Sequence, residues 1–131
     1  MRNLKLCFSA ISAIFILSCS KQIYSTNGEA IYTTGKNLNG EKLLDKTASR
    51  IKIAHSCKTC HGKNGDAMNK VSIKFSYLSN PDNFSTPYTE SLFFRFIDHD
   101  LKSNGTKANI GVIWRMNEQD KKDLLEYLKT L

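Results

Sequence analysis

The chain has no cysteine to spare for a structural disulfide. Of its four cysteines, Cys7 lies inside an apolar N-terminal stretch, Cys19 follows that stretch, and Cys57 and Cys60 form a C-x-x-C pair. A framework of disulfides, such as those that stabilise small secreted domains, is therefore excluded. A small domain then needs another source of stability, and a metal or a covalently attached cofactor is the usual one.

The chain also has no apolar run long enough to cross a membrane. Residues 6–17 are almost wholly apolar, but about 12 residues fall short of the ~20 that a spanning helix needs. Arg2 and Lys5 precede this run, and small and polar residues follow it. This order is typical of a secretory signal peptide, here residues 1–18. The alternative is an uncleaved N-terminal anchor helix. Either interpretation places the rest of the chain beyond a membrane.

The expected cleavage site indicates a lipid anchor. The run Ile16-Leu17-Ser18-Cys19 resembles the lipobox of bacterial lipoproteins. The resemblance implies that Cys19 becomes the first mature residue and is acylated, with residues 19–26 as a polar tether. Two or three acyl chains hold a protein stably at a membrane surface. The implied location is the periplasmic side of a bacterial membrane, and the alternative is ordinary cleavage nearby that leaves the protein soluble in the periplasm.

A strongly acidic character is absent, because the formal charge is +7. Loss of residues 1–18 removes Arg2 and Lys5 and leaves about +5, which would favour an acidic protein partner or simply keep the protein soluble. The lysines are scattered and do not form one stripe. We therefore expect no nucleic acid as a partner.

Neither a strand pattern nor an internal repeat is present, and the chain is predicted to be all-α, with a few short helices joined by long loops. Such loops are unusual in a free-standing helical domain and are reasonable if they wrap a large flat ligand. The predicted helices begin at Asn27 and end at Gly35, span residues 50–61, run from Thr86-Pro87 to about Leu101, and follow the capping residue Asn117 to the C-terminus. Residues 36–49 are predicted to be an inserted loop.

The motif that carries chemistry is Cys57-Lys58-Thr59-Cys60-His61, which matches the C-x-x-C-H attachment signature of c-type haem. Two thiols on one helical turn can reach both vinyl groups of one haem, and the adjacent histidine can bind the iron. Gly62 then allows a tight turn. Two alternatives remain: a zinc site that adds His55 to these residues, and a dithiol redox pair. The first is cramped in sequence, and the second lacks the βαβ setting that it usually has.

From Asn27 to the C-terminus the chain resembles a class I cytochrome c. The resemblance rests on Gly28-Glu29-Ala30-Ile31-Tyr32, on Cys60-His61-Gly62-Lys63-Asn64-Gly65, and on Met116 before a helix that contains Leu124-Leu125-Glu126-Tyr127-Leu128. It implies one cytochrome c domain (residues 27–131), covalent haem c on Cys57 and Cys60, and His61 as an axial iron ligand. It also implies that the first and last helices cross, with Ala30 and Ile31 near Leu124 and Leu128. Residues 110–116 lack the proline that the family usually has there, and the 36–49 insertion is unusual.

Four residues are candidates for the second axial ligand: Met116, Met68, His99 and His55. Met116 is favoured because it matches the family position and is far enough along the chain to reach the opposite haem face. Met68 follows His61 too closely, and His55 is expected on the same helix as His61. His99 lies between two aspartates and is typical of a solvated surface residue. Trp114 and Arg115 are candidate neighbours of the haem edge or propionates, or ordinary core and surface residues.

The sequence therefore predicts an electron carrier and not an enzyme, so no catalytic residue is assigned. His61 and Met116 would fill both axial positions of the iron, and the partners would be redox proteins that donate and accept one electron. Two alternatives remain open: a haem sensor or peroxidase-like protein with an open iron position, and a cytochrome subunit of a larger redox complex.

Overall fold

The structure is a computed structural model that describes residues 22–68 and 71–131. The predicted signal peptide, the predicted lipidation site Cys19 and the first part of the predicted tether lie outside the described residues. Within them the chain forms five helices and no strand longer than an isolated bridge, so the all-α class is confirmed. The helices are α1 (Asn27–Thr34), α2 (Cys57–His61), α3 (Phe75–Leu78), α4 (Glu90–His99) and α5 (Glu118–Thr130). In these ranges no helix combines the length and the apolar character that spanning a bilayer requires.

The core is built on the contact between α1 and α5, which is the most extensive contact between two helices. Ile31 of α1 and Leu124 and Leu128 of α5 are buried in one apolar cluster. The rings of Tyr32 and Tyr127 extend this contact, with their centroids 5.2 Å apart. The first and last helices therefore pack together, as expected.

Polar groups fix the same helix crossing. The Asn27 side-chain amide donates to Asp120 at 3.0 Å and to Asp123 at 2.8 Å, and its carbonyl oxygen accepts from the backbone N–H of Leu38. Beside it, Gly28 is buried directly against the α5 backbone. The start of α1 is thus held to α5 and to the segment that follows α1.

The ends of α1 and α5 follow local capping signals. Thr26 caps α1, because its hydroxyl accepts from the N–H of Glu29 at 3.1 Å, and the helix begins at Asn27 as predicted. Gly35 ends α1 in the left-handed region, as predicted, with φ of 67°. Asn117 caps α5 by accepting from the N–H of Asp120 at 2.8 Å, which confirms that prediction.

The predicted start of α4 was three residues too early. Thr89, and not Thr86, caps this helix by accepting from the N–H of Leu92 at 3.3 Å. Tyr88 is buried, and its N–H donates to the carbonyl of Leu78 at 2.9 Å. Residues 86–88 are therefore held against the end of α3 before α4 begins.

Two further expectations were corrected. Residues 50–56 are not helical, and the N–H of Ile51 donates to Gly111 at 3.0 Å instead of to a helical partner. Residues 36–49 contain no helix but are not a loose loop, because they form bridges between Lys36 and Lys42 and between Leu44 and Trp114. The four-residue helix α3 was not predicted.

Candidate functional site

The helix α2 places both motif cysteines on a single turn. It starts at Cys57 because the preceding Ser56 caps it, with the Ser56 hydroxyl accepting from the N–H of Thr59 at 3.3 Å. Cys57 and Cys60 are three residues apart, so their side chains lie on neighbouring positions of one helix face. The structure therefore places the two cysteines of the motif on one helical turn.

The two thiols are free and differ in exposure. Cys57 is partly buried and packs against the apolar core cluster, whereas Cys60 is exposed to solvent. Burial raises the pKa of the Cys57 thiol to about 12, so this group is a neutral thiol at pH 7. The Cys57 thiol therefore lies against the core, whereas Cys60 is exposed to solvent, and neither forms a disulfide.

His61 ends α2 with an uncommitted imidazole. Its Nδ1 atom is buried and has no hydrogen-bond partner among residues 22–68 and 71–131. Burial lowers the pKa of His61 below its ordinary value of 6.5, so the ring is neutral at pH 7. A buried polar atom without a partner is unusual in folded proteins and calls for an explanation. A neutral imidazole that no protein group occupies is suited to bind a metal ion.

The turn after His61 is fixed from α1. Gly62 has φ of 69°, which favours glycine, and a Cβ there would lie 2.7 Å from the Cβ of Ala67. The Tyr32 hydroxyl donates to the Gly62 carbonyl at 2.7 Å. Burial, followed by the nearby Cys57, raises the pKa of Tyr32 to about 12, so the hydroxyl keeps its proton as a donor. Tyr32 thus positions the turn at Gly62. Sequence reasoning recognised Tyr32 as part of residues 28–32 but did not predict this role.

Large apolar side chains flank α2 along the chain and are exposed. Before the motif stand Ile51, 42% exposed, and Ile53, 79% exposed; after it stand Met68, 47% exposed, and Val71, 51% exposed. Large exposed apolar patches often mark binding surfaces, so these four side chains are candidates to cover an apolar ligand. The motif region thus combines two free thiols, a buried imidazole nitrogen without a partner and exposed apolar side chains on both sides of it in the sequence.

Met116 directly precedes the Asn117 cap of α5. It is 8% exposed and belongs to the core cluster against which Cys57 also packs. The other ligand candidates are all exposed: Met68, His99 at the end of α4, and His55. His55 precedes α2 and is not on the same helix as His61, so the reason given for excluding it was wrong.

Trp114 and Arg115 have protein partners. Trp114 pairs with Leu44 through a backbone bridge and packs against the core cluster. The Arg115 Nε atom donates to the Asp45 carboxylate at 2.7 Å. Sequence reasoning missed Asp45, because nothing in the local sequence connects it to a residue 70 positions away.

The described residues contain no group of three or more His, Cys, Asp or Glu side chains placed to hold a metal ion. His55, His61 and the two motif cysteines therefore do not form the zinc site that their sequence spacing left open. A cleft of about 180 Å³ between residues 34–46 and His55 is lined by three lysines, Lys36, Lys42 and Lys46. These lysines give a basic surface beside His55, which stands two residues before Cys57 in the sequence.

Comparison of the chain with models of known protein families gave no match, and searches of curated proteins and of solved structures gave none either.

Proposed function

We propose that this chain is a small c-type cytochrome, resembling class I, that carries one covalent haem c and transfers one electron at a time. The observation that supports it is the arrangement of α2: two free cysteines on one turn and a neutral, uncommitted His61 at its end. The same motif in a chain with an expected export signal has few other uses.

In this proposal Cys57 and Cys60 hold the haem. Each Sγ–H adds across one vinyl group, so that a carbon–sulfur bond forms and the thiol hydrogen passes to the other vinyl carbon. No oxidant is consumed in this addition. The buried position of Cys57 would orient one edge of the ring, and the apolar side chains that flank α2 would cover its faces.

His61 and Met116 would be the axial ligands, and the bound haem would supply an Fe(III)/Fe(II) couple. A thioether ligand favours ferrous iron and raises the potential relative to a second histidine. Because both axial positions would be filled, substrate would have no open site, and the chain would act as a carrier between redox proteins. The basic surface near Lys36, Lys42 and Lys46 supports an acidic partner, whose long-range attraction would depend on salt.

Attachment is tested by expressing the chain together with a c-type haem maturation system. Intact mass should exceed that of the apo-chain by one haem, and acidified organic solvent should not extract the haem. Cys57→Ser and Cys60→Ser should each lose most holoprotein, whereas Lys58→Ala, an exposed position on the same turn, should keep it. Haem that is freely extracted from the wild type would contradict the proposal.

The second ligand is tested on the same holoprotein by its optical spectrum. A methionine–iron bond gives ferric haem a weak band near the red edge of the visible range, and it slows carbon monoxide binding to the reduced form. Met116→Ala should remove the band, admit carbon monoxide and lower the potential, whereas Met68→Ala should leave the band in place, because Met68 is not the proposed ligand. Rapid carbon monoxide binding by the wild type would instead favour an open-site sensor or peroxidase-like protein.

We also propose that Cys19 is lipidated and that residues 19–26 tether the domain, residues 27–131, to the periplasmic side of a bacterial membrane. The lipobox-like run that ends at Cys19 supports this location. Two or three acyl chains would keep the carrier at the membrane surface, where its donor and acceptor would meet it.

A further inference from the structure

The segment that precedes Met116 is paired with a distant part of the chain. We call residues 109–115 the ligand segment and residues 43–51 the support segment. Three backbone hydrogen bonds join them, at intervals along both. The bonds run from the N–H of Arg115 to Leu43 at 2.7 Å, from that of Asp45 to Ile113 at 2.9 Å, and from that of Ile51 to Gly111 at 3.0 Å. The support segment therefore lies alongside the ligand segment over its whole length.

A single hydroxyl of the support segment bonds both backbone polar groups of one residue in the ligand segment. Ser49 is 3% exposed, and its Oγ atom accepts from the N–H of Ile113 at 2.9 Å and donates to the Ile113 carbonyl at 3.2 Å. A hydroxyl can do both because it carries one hydrogen and two lone pairs. Ile113 stands three residues before Met116, so Ser49 fixes the backbone close to the proposed ligand.

An ion pair holds the end of the ligand segment nearest to Met116. One oxygen of the buried Asp45 carboxylate accepts from the Arg115 guanidinium at 2.7 Å. The other oxygen accepts from the N–H groups of Thr47 and Ala48 at 2.9 and 3.0 Å, which fixes the carboxylate itself. Arg115 directly precedes Met116, so the ion pair with Asp45 restrains the chain one residue before the proposed ligand.

The other end of the ligand segment is held from α4. Asp100 ends that helix in the left-handed region, with φ of 54°, and its carboxylate accepts from the N–H groups of Ile110 and Gly111, both at 3.2 Å. Both ends of the segment before Met116 are thus fixed by carboxylates, and its middle is fixed by Ser49. The ligand segment contains no helix, yet it is held at both ends and in the middle by hydrogen bonds to distant residues.

We propose that Ser49 and Asp45 are positioning residues that present the Met116 thioether to the haem iron. This inference rests on the proposed function, because it presumes haem and Met116 as its ligand. A ligand atom must be held within about 0.5 Å of its productive position, which a loop achieves only with support from a second layer of residues. The unusual 36–49 insertion would supply that support.

The test uses the holoprotein and measures how readily Met116 is displaced. Ser49→Ala should raise the affinity of ferric protein for added imidazole about tenfold, because two hydrogen bonds to partly buried backbone groups of Ile113 are lost. The red-edge band should weaken as imidazole displaces Met116, at lower imidazole concentrations than in the wild type. The amide hydrogen of Ile113 should exchange faster. Asp45→Asn keeps the size of the side chain but removes its charge, and it should produce a smaller increase in imidazole affinity.

Asn37→Ala is the matched control, since Asn37 is 5% exposed and its side chain bonds only within its own turn, to Glu41. It should lower stability and leave imidazole affinity within twofold of the wild type. If Ser49→Ala also stays within twofold while the wild type shows the red-edge band, the positioning role is wrong and the proposed function stands. If the wild type has no such band, Met116 is not the ligand and the positioning role is wrong, whereas covalent haem attachment is decided separately by the extraction test.

Discussion

Replacing Gly28 by alanine should separate the effect of helix propensity from that of helix packing. Gly28 lies in the first turn of α1, where that helix crosses α5. A Cβ there would lie 2.7 Å from the carbonyl carbon of Asp123 and 2.8 Å from the Cβ of Tyr127, and it would be closer still to the Asp123 oxygen. The obstacle is mainly backbone, so it cannot be relieved by a change of side-chain rotamer.

The two effects have opposite signs. Alanine is favoured over glycine in a helix by about 1 kcal/mol, so propensity alone would make the variant more stable. Overpacking against a fixed backbone costs about 3 kcal/mol or somewhat more. It would also push α1 away from α5, where Ile31 and Leu124 are both 0% exposed. We therefore expect Gly28→Ala to lower the free energy of unfolding by about 2 kcal/mol in total.

Urea unfolding followed by far-ultraviolet circular dichroism measures this difference. With an m value of about 1.5 kcal/mol per molar, the midpoint should fall by about 1–1.5 M at unchanged m. Gly40→Ala is the control, because nothing lies within 4 Å of its Cβ position and only the positive φ of 84° opposes the substitution. That variant should lose about 1 kcal/mol. A Gly28→Ala protein as stable as the wild type, or more stable, would refute the close helix crossing.

Two further predictions concern other parts of the chain. Burial alone would lower the pKa of Lys121, but its hydrogen bonds to Asp98 and Glu118 outweigh burial and raise the pKa above 10.5. The resulting stability is present below pH 10.5 and is lost as the pH rises through the folded-state pKa. Lys121→Met should therefore lower the free energy of unfolding by about 1 kcal/mol at pH 7 and by less above pH 10.5, measured by urea unfolding. The exposed Lys122→Met is the control. An equal loss at both pH values, or the same loss in the control, would contradict this. Cys19→Ala should release the protein from the membrane fraction to the soluble fraction, and an unmodified N-terminus beyond Cys19 in the wild type would exclude the anchor.

The parts of the fold that the sequence predicted well are those that local signals determine. Asn117 and the leucine stripe that follows it located α5, and Gly35 located the end of α1. The C-x-x-C-H motif likewise specified its own turn, because capping and spacing act within five residues. The start of α4 was wrong, because its cap is Thr89 and lies three residues after the expected Thr86.

The rest could not be predicted because it depends on contacts between distant residues. Residues 50–56 looked helical, but the N–H of Ile51 bonds to Gly111, 60 positions along the chain. The 36–49 insertion looked like a loop for the same reason, since Asp45 and Ser49 find their partners more than 60 residues away. Such pairing leaves no periodic signal in one sequence. The helix α3 was missed because four residues are too few to establish a helical pattern.

The contact of α1 with α5 also has a consequence for the order of events in synthesis. These helices lie near the two ends of the proposed domain, so their contact closes a loop of about 80 residues before it contributes any stability. The core therefore cannot form until α5 is available to pack on α1. A chain that we propose to be exported would remain unfolded while it is translocated, and Cys57 and Cys60 would stay accessible to the haem-attachment machinery until α5 arrives and the helices close together.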